Sequence, residues 1–182
     1  MRFLRRRSLR HLQALSVRIA VISDTHIGER RKEPPARFRE IVDSADVVAH
    51  LGDWVSAQFA RTLSSGRTLY GVSGNCDPWS VRQMFPVERI VDIEGVRLLL
   101  VHAFPNDARR AETLAEGYRS KGVSVVLCGH THKESDVSVA GLRVLNPGSP
   151  CEARHHGQRT AGLLTVTGAD VSWEIVTMDR EV

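Results

Sequence analysis

VSVVLCGHTHKE, residues 123–134, joins a short apolar run to a glycine and then to two histidines one residue apart. Val123 to Leu127 reads as a short strand buried on both faces, so His130 and His132 leave a strand end together. Side chains two apart on extended chain point the same way, so both rings can face one point in space. Imidazoles placed like this suit a metal ion. The reading of the whole fold then turns on whether other apolar runs end the same way.

They do. RIAVIS (18–23) reads as a buried strand and ends in SDTH, which supplies Asp24 and His26. DVVAHL (46–51) ends in HLGD, with Asp53 after a glycine, and TLYGVS (68–73) runs into SGNCD, with Asn75, Cys76 and Asp77. RIVDIEGVRLLLVHA folds as two strands about a turn at Glu94-Gly95 and ends with His102. Seven potential ligands therefore stand at the exits of five apolar runs. In α/β sheets, ligand sites gather at that edge because the loops converge there.

Between the strands lie helix-like stretches. PARFREIVDSA has Pro35 suited to a first turn, SAQFARTLSS (56–65) is a second candidate, and DARRAETLAEGYRSKG (107–122) stops at Gly122. After the histidine pair the chain is mainly strand: SDVSVAG, LRVLNPG, AGLLTVTG and VSWEIVTM. Strand–helix alternation early and hairpins late predict an α/β domain whose sheets are covered by helices. NPGS (146–149) is expected as a turn near the site rim.

Composition sets the frame. With 182 residues, 42% hydrophobic and 25% charged, the chain fits one ordinary globular domain. The formal charge of +4 is unevenly spread: residues 1–18 carry six arginines and no acid, and removing that +6 leaves −2 for the rest. The basic character belongs to a tail, so it does not argue for a nucleic-acid-binding face on the domain. We therefore divide the chain into a basic extension, 1–16, and a domain, 17–182; nucleic-acid binding by the extension is left open. Cys76, Cys128 and Cys151 are far apart and form no C-x-x-C, which points to a reducing, cytoplasmic setting. No apolar stretch approaches the roughly 20 residues that span a bilayer.

Two aspartates, an asparagine and four histidines can satisfy two cations of the manganese, iron, zinc or nickel type. A bridging carboxylate can hold such a pair for in-line attack at phosphorus. There is no G-x-S-x-G elbow and no P-loop, which removes the main alternatives.

The ordered set D-x-H, GD, GN-x-D, H and GHTH resembles the calcineurin-like metallophosphoesterase superfamily. With GNCD and NPGSP it is similar to the small single-domain phosphodiesterase branch, over roughly residues 17–178. The resemblance implies a sandwich of two β-sheets flanked by helices. It implies that Asp24, His26 and His132 hold one metal, that Asn75, His102 and His130 hold the other, and that Asp53 bridges them. The ions expected are two divalent cations, Mn2+ first and Zn2+, Fe2+ or Ni2+ as alternatives. A hydroxide between them would attack a small-molecule or nucleotide phosphoester. The same fold resembles the retromer's phosphoesterase-like scaffold subunit, a protein-binding alternative.

The sequence departs from the wider superfamily at Cys76, where a histidine commonly assists the leaving group, and at Ala103, where glycine is frequent. A thiol is a weak donor, so Cys76 carries less acid assistance. Trp54, Trp79, Phe104, Arg109 and Arg154 are candidates for the substrate rim. Either tryptophan could stack on a base or pack under a loop.

Overall fold

A computed structural model describes residues 16–28, 33–155 and 157–179. The arginine-rich extension lies almost wholly outside the described residues.

Ten strands form two sheets. The first has the order β10-β9-β1-β2-β3, built from β1 (Ser16–Ile22), β2 (Val47–His50), β3 (Thr68–Gly71), β9 (Thr160–Thr167) and β10 (Asp170–Thr177). The second has the order β4-β5-β6-β8-β7, built from β4 (Glu88–Ile93), β5 (Val96–Val101), β6 (Val125–Leu127), β7 (Glu134–Val139) and β8 (Leu142–Pro147). β1, β2 and β3 are mutually parallel, as are β5, β6 and β8, and the hairpin strands β4, β7, β9 and β10 complete both sheets antiparallel. The parallel strands thus deliver all their carboxyl ends to one edge of the sandwich.

Alternation decides which residues fill which layer. Ile19 and Val21 of β1 point between the sheets with Leu98, Leu100, Leu127 and Leu164, while Ala20 and Ile22 point outward. Each fully buried leucine there contributes roughly 1.5–3 kcal/mol. The outward face of the first sheet is covered by α1 (Ala36–Asp43), α2 (Ala57–Ser64) and α3 (Trp79–Arg82), through Phe38, Ile41, Leu63 and Val81. On the other side α4 (Ala108–Arg119) lays Ala115 and Tyr118 over Leu99 and Val126. The result is the expected α/β/β/α sandwich.

Local signals explain the helix ends. Ser56 accepts the N–H of Phe59 at the start of α2, and Asp107 accepts the N–H of Arg110 at the start of α4. Pro35 stands at the N-cap of α1, one residue before the helix, and Gly122 takes a positive φ of 81° just past α4. The turn at Glu94-Gly95 has φ of 48° and 87°, the left-handed pair that suits a tight hairpin. The short helix α3 is absent from the sequence reading, because four residues are too few to show a helical period.

Candidate metal centre

The strand exits are tied together by backbone before any side chain acts. Asp24 N–H donates to Gly52 C=O (3.0 Å), His26 N–H to Asp53 C=O (3.1 Å) and Gly129 N–H to His102 C=O (2.8 Å). These bonds carry the sheet pairing past the strand ends, and they tie the loop after β1 to that after β2 and the loop after β6 to that after β5.

Those loops are not extended. Asp24, His26, Asp53, His130 and His132 all have positive φ, between 46° and 72°. Left-handed backbone is uncommon outside glycine, and a cluster of it marks a site whose surroundings enforce it. This corrects the reading of His130 and His132 as an alternating pair on extended chain. The loop turns, so the two rings meet different neighbours: His132 lies 5.5 Å from His26 and His130 lies 5.1 Å from His102, centroid to centroid. His132 is fully buried, whereas His130 is exposed.

Asp24 is held from three sides. Its Oδ2 accepts the Ser23 hydroxyl (2.5 Å) and the His130 N–H (2.8 Å), and its carbonyl accepts the Ser149 hydroxyl (2.8 Å). Oδ1 is left facing His132 Nε2 at 3.2 Å. His132 Nδ1–H donates to Glu152 C=O (2.9 Å), so Nε2 carries the lone pair. A carboxylate oxygen and an imidazole lone pair therefore confront each other in the interior, and neither atom has a hydrogen bond among the described residues. Such a pair calls for a shared cation or proton.

The same pattern recurs at His102. Its Nδ1–H donates to Leu51 C=O (2.8 Å), which turns Nε2 toward Asn75 Oδ1 (2.9 Å) and Asp53 Oδ2 (3.4 Å). Asp53 Oδ1 is occupied by the Cys76 N–H (2.8 Å), while Oδ2 faces both His102 and His26 Nε2, the latter at 3.7 Å. Burial opposes the charge on Asp24 and Asp53, yet the neighbouring His132 and His102 respectively hold both carboxyls below the usual aspartate range. Burial also works against a charged His102, but its contact with Asp53 outweighs this and raises its pKa.

Among the described residues, ligand atoms lie within 4.8 Å of one another in three groups: Asp24–His26–His132, Asp24–Asp53–His102 and His26–Asp53–Cys76. Carboxylate and imidazole donors with confronting lone pairs fit divalent cations. Asn75 and His130 stand at the open side, so all seven sequence-predicted ligands converge.

The rim candidates separate. Trp54 is corrected: it is fully buried, stacked on His50 (3.5 Å) and Phe85 (4.5 Å), with its indole N–H donating to Val72 C=O. A ring enclosed on both faces cannot receive a base. Trp79, by contrast, is 74% exposed on α3, four residues after Asn75. Phe104 is half-buried against the α4 cluster, Arg109 is exposed in the first turn of α4, and Arg154 is exposed with φ of 49°. A cavity of about 900 Å³ between α1 and α2 is lined by Phe38, Val42, Phe59 and Leu63 and by none of the seven ligands.

Several residues of the sequence motifs turn out to support the site in ways that local spacing does not show. Asp77 is buried, and its carboxylate accepts the N–H groups of Asp53 (3.0 Å), Gly74 (2.8 Å) and Val55 (2.8 Å), so it shapes the Asp53 loop. NPGS is more than a turn: Asn146 donates to Gly129 C=O and Ser149 supports Asp24. The glycine of the GHTH run has a packing reason, since a Cβ on Gly129 would collide with the Ser23 hydroxyl and crowd Asp24. Gly129→Ala is expected to cost about 1–3 kcal/mol of stability and to lower the protein's retention of divalent metal. A urea titration with metal analysis of the same sample checks both.

The structure is thus a five-on-five strand sandwich with carboxylate and imidazole donors gathered at its parallel strand exits. The chain belongs to the calcineurin-like phosphoesterase superfamily, whose defining domain matches residues 17–169. It is 30% identical over 136 residues to a "Probable metallophosphoesterase" of Methanothermobacter thermautotrophicus, covering 75% of this chain and 78% of that one. An NMR structure of a Thermotoga maritima protein is 30% identical, with a TM-score of 0.72 over 88% of this chain and 99% of that one. Vps29 of Chaetomium thermophilum, at 20% identity, shares the fold with a TM-score of 0.73 over 88% of this chain and 97% of that one. The family and its relatives support a metal-dependent phosphoester hydrolase. Among the described residues no helix is long and apolar enough to cross a membrane.

Proposed function

We propose that the chain hydrolyses phosphodiesters with two divalent cations, Mn2+ first. Asp24, His26 and His132 would hold one ion, Asn75, His102 and His130 the other, and Asp53 would lie between them. The observation that carries this reading is Asp24 Oδ1 facing His132 Nε2 at 3.2 Å in the interior, with no hydrogen bond to either atom among the described residues. When bound, two such cations lower the pKa of water toward neutrality and neutralise phosphate charge.

The chain's own groups supply orientation. The Leu51 and Glu152 carbonyls fix the tautomers of His102 and His132, so both present Nε2. The Asn75 side-chain amide stands at the open side, where it can meet a phosphate oxygen as charge develops. Cys76, exposed beside it, offers little acid to a departing alkoxide. Trp79 remains the rim residue best placed to meet a substituent of the ester, with Phe104, Arg109 and Arg154 as further candidates.

A protein-binding scaffold of the retromer-subunit type is the second reading, and the fold likeness to Vps29 is what favours it. Competent donors at all seven positions weigh toward the hydrolase. The test is a screen of phosphate mono- and diesters with the metal-stripped protein and after Mn2+, Zn2+, Fe2+ or Ni2+ is restored. Metal-dependent turnover favouring diesters is expected. A fully loaded protein inert toward every ester would favour the scaffold.

The family match from residue 17 supports a domain that begins there, with residues 1–16 as an extension. Deleting the extension and measuring RNA and DNA binding decides whether its arginines contact nucleic acid. A reducing, cytoplasmic setting is part of the same proposal, on the wide spacing of the three cysteines along the chain.

A further inference from the structure

His50 is the last residue of β2 and is fully buried, yet it is none of the seven ligands. Its ring stacks on Trp54 at 3.5 Å and 17°, and Trp54 stacks in turn on Phe85 at 4.5 Å and 1°. Trp54 also donates to the Val72 carbonyl, so this column of three rings joins the exits of β2 and β3 to the segment after α3. One polar contact leaves the column toward β1: His50 Nε2 lies 3.1 Å from Thr25 Oγ1. Among the described residues His50 Nδ1 has no hydrogen-bond partner, so the polar link of this buried imidazole runs through Thr25.

Thr25 is fully buried and sits between Asp24 and His26, both held at positive φ. A three-residue segment with two left-handed members relaxes unless something over-determines it. Its backbone is pinned on one side by Gly52 and Asp53, and the Thr25 hydroxyl is its anchor to the ring column beneath.

We propose that His50, through Thr25, is a positioning residue that holds Asp24 and His26 in metal-binding geometry, with Trp54 and Phe85 fixing the plane of its ring. The role rests on the reading of Asp24, His26 and His132 as metal ligands. Groups that orient ligands typically change metal affinity by about 10–100-fold when removed.

The test measures metal retention and not turnover. Zn2+-loaded wild type, His50→Phe, Thr25→Val and the double variant are mixed with a chromophoric chelator, and the rate of metal loss is followed. His50→Phe keeps a flat ring on Trp54 and removes the polar contact. His50→Asn, a second variant, keeps a polar group without the ring and guards against a packing failure of the phenylalanine. Metal loss about tenfold faster is expected in each single ring or hydroxyl variant, with the double variant no faster than either, because both cut one link. The absorption spectrum of the Co2+-loaded proteins should change in the same variants. Unaltered metal loss and Co2+ spectra with a lowered unfolding temperature would overturn the proposal and leave His50 a packing residue. Strictly additive effects of the two substitutions would overturn the link through Thr25. A wild-type chain that takes up no metal would overturn the reading of the centre itself, a failure distinct from the other two.

Discussion

Asp53→Asn is expected to strip at least one metal ion from each chain and to lower turnover on the order of 10³-fold, with little loss of folding. Asp53 Oδ2 faces both His26 and His102, while Oδ1 accepts the Cys76 N–H at 2.8 Å. An asparagine has two ways to sit there. With its NH2 in place of Oδ2, it points hydrogens at the space where the two proposed cations would lie. Flipped, it sets its NH2 against the Cys76 N–H, donor against donor. Either way the negative charge between the two histidines is gone. The backbone is not the weak point, since asparagine tolerates the left-handed conformation that Asp53 adopts at φ 56°. Elemental analysis, turnover and thermal unfolding on one preparation separate these effects. Two metals per chain and near-native activity would remove Asp53 from the position between the ions.

The second large effect concerns Cys76. The wild type is expected to favour diesters with acidic leaving groups, such as nitrophenyl esters, over alkyl esters. A positioned acid contributes on the order of 10²–10⁴-fold, and a neutral thiol supplies little of that. The Cys76 sulfur accepts from the Asn75 amide at 3.3 Å and stands in the cluster with His26 and Asp53. A group at that point would stand beside an ester bound at the proposed centre. Cys76→His should therefore raise turnover most for poor leaving groups, and the slope of log rate against leaving-group pKa should become shallower. A wild-type slope near zero, or a steeper slope in the histidine variant, would mean that the proton is already supplied from elsewhere. Asp77 would not be that source: burial pushes its carboxyl above the ordinary aspartate range, but three backbone N–H groups fill its oxygens.

Much of this was legible along the chain. Period-two and buried apolar runs marked the strands, and polar residues at their ends marked the candidate ligands, because both signals are local. Asp24, His26, Asp53, Asn75, His102, His130 and His132 each sit within a few residues of a strand exit, so topology alone sends them to one edge. What local spacing could not decide is which way each side chain faces. Trp54 and Trp79 both follow ligand motifs, yet one is enclosed and the other is 74% exposed. The difference lies at Gly71, where the missing Cβ leaves room for Trp54 and Phe85 to stack, and no window around residue 54 contains that information. The pairing of His132 with Asp24 and the support of Asp24 by Ser149 and His130 join residues more than a hundred positions apart, across the two sheets. Sequence determined which donors reach the edge, since strand ends are written locally. Tertiary packing alone decided which oxygen or nitrogen each presents, because that depends on the hydrogen bonds that distant loops bring to its other atoms.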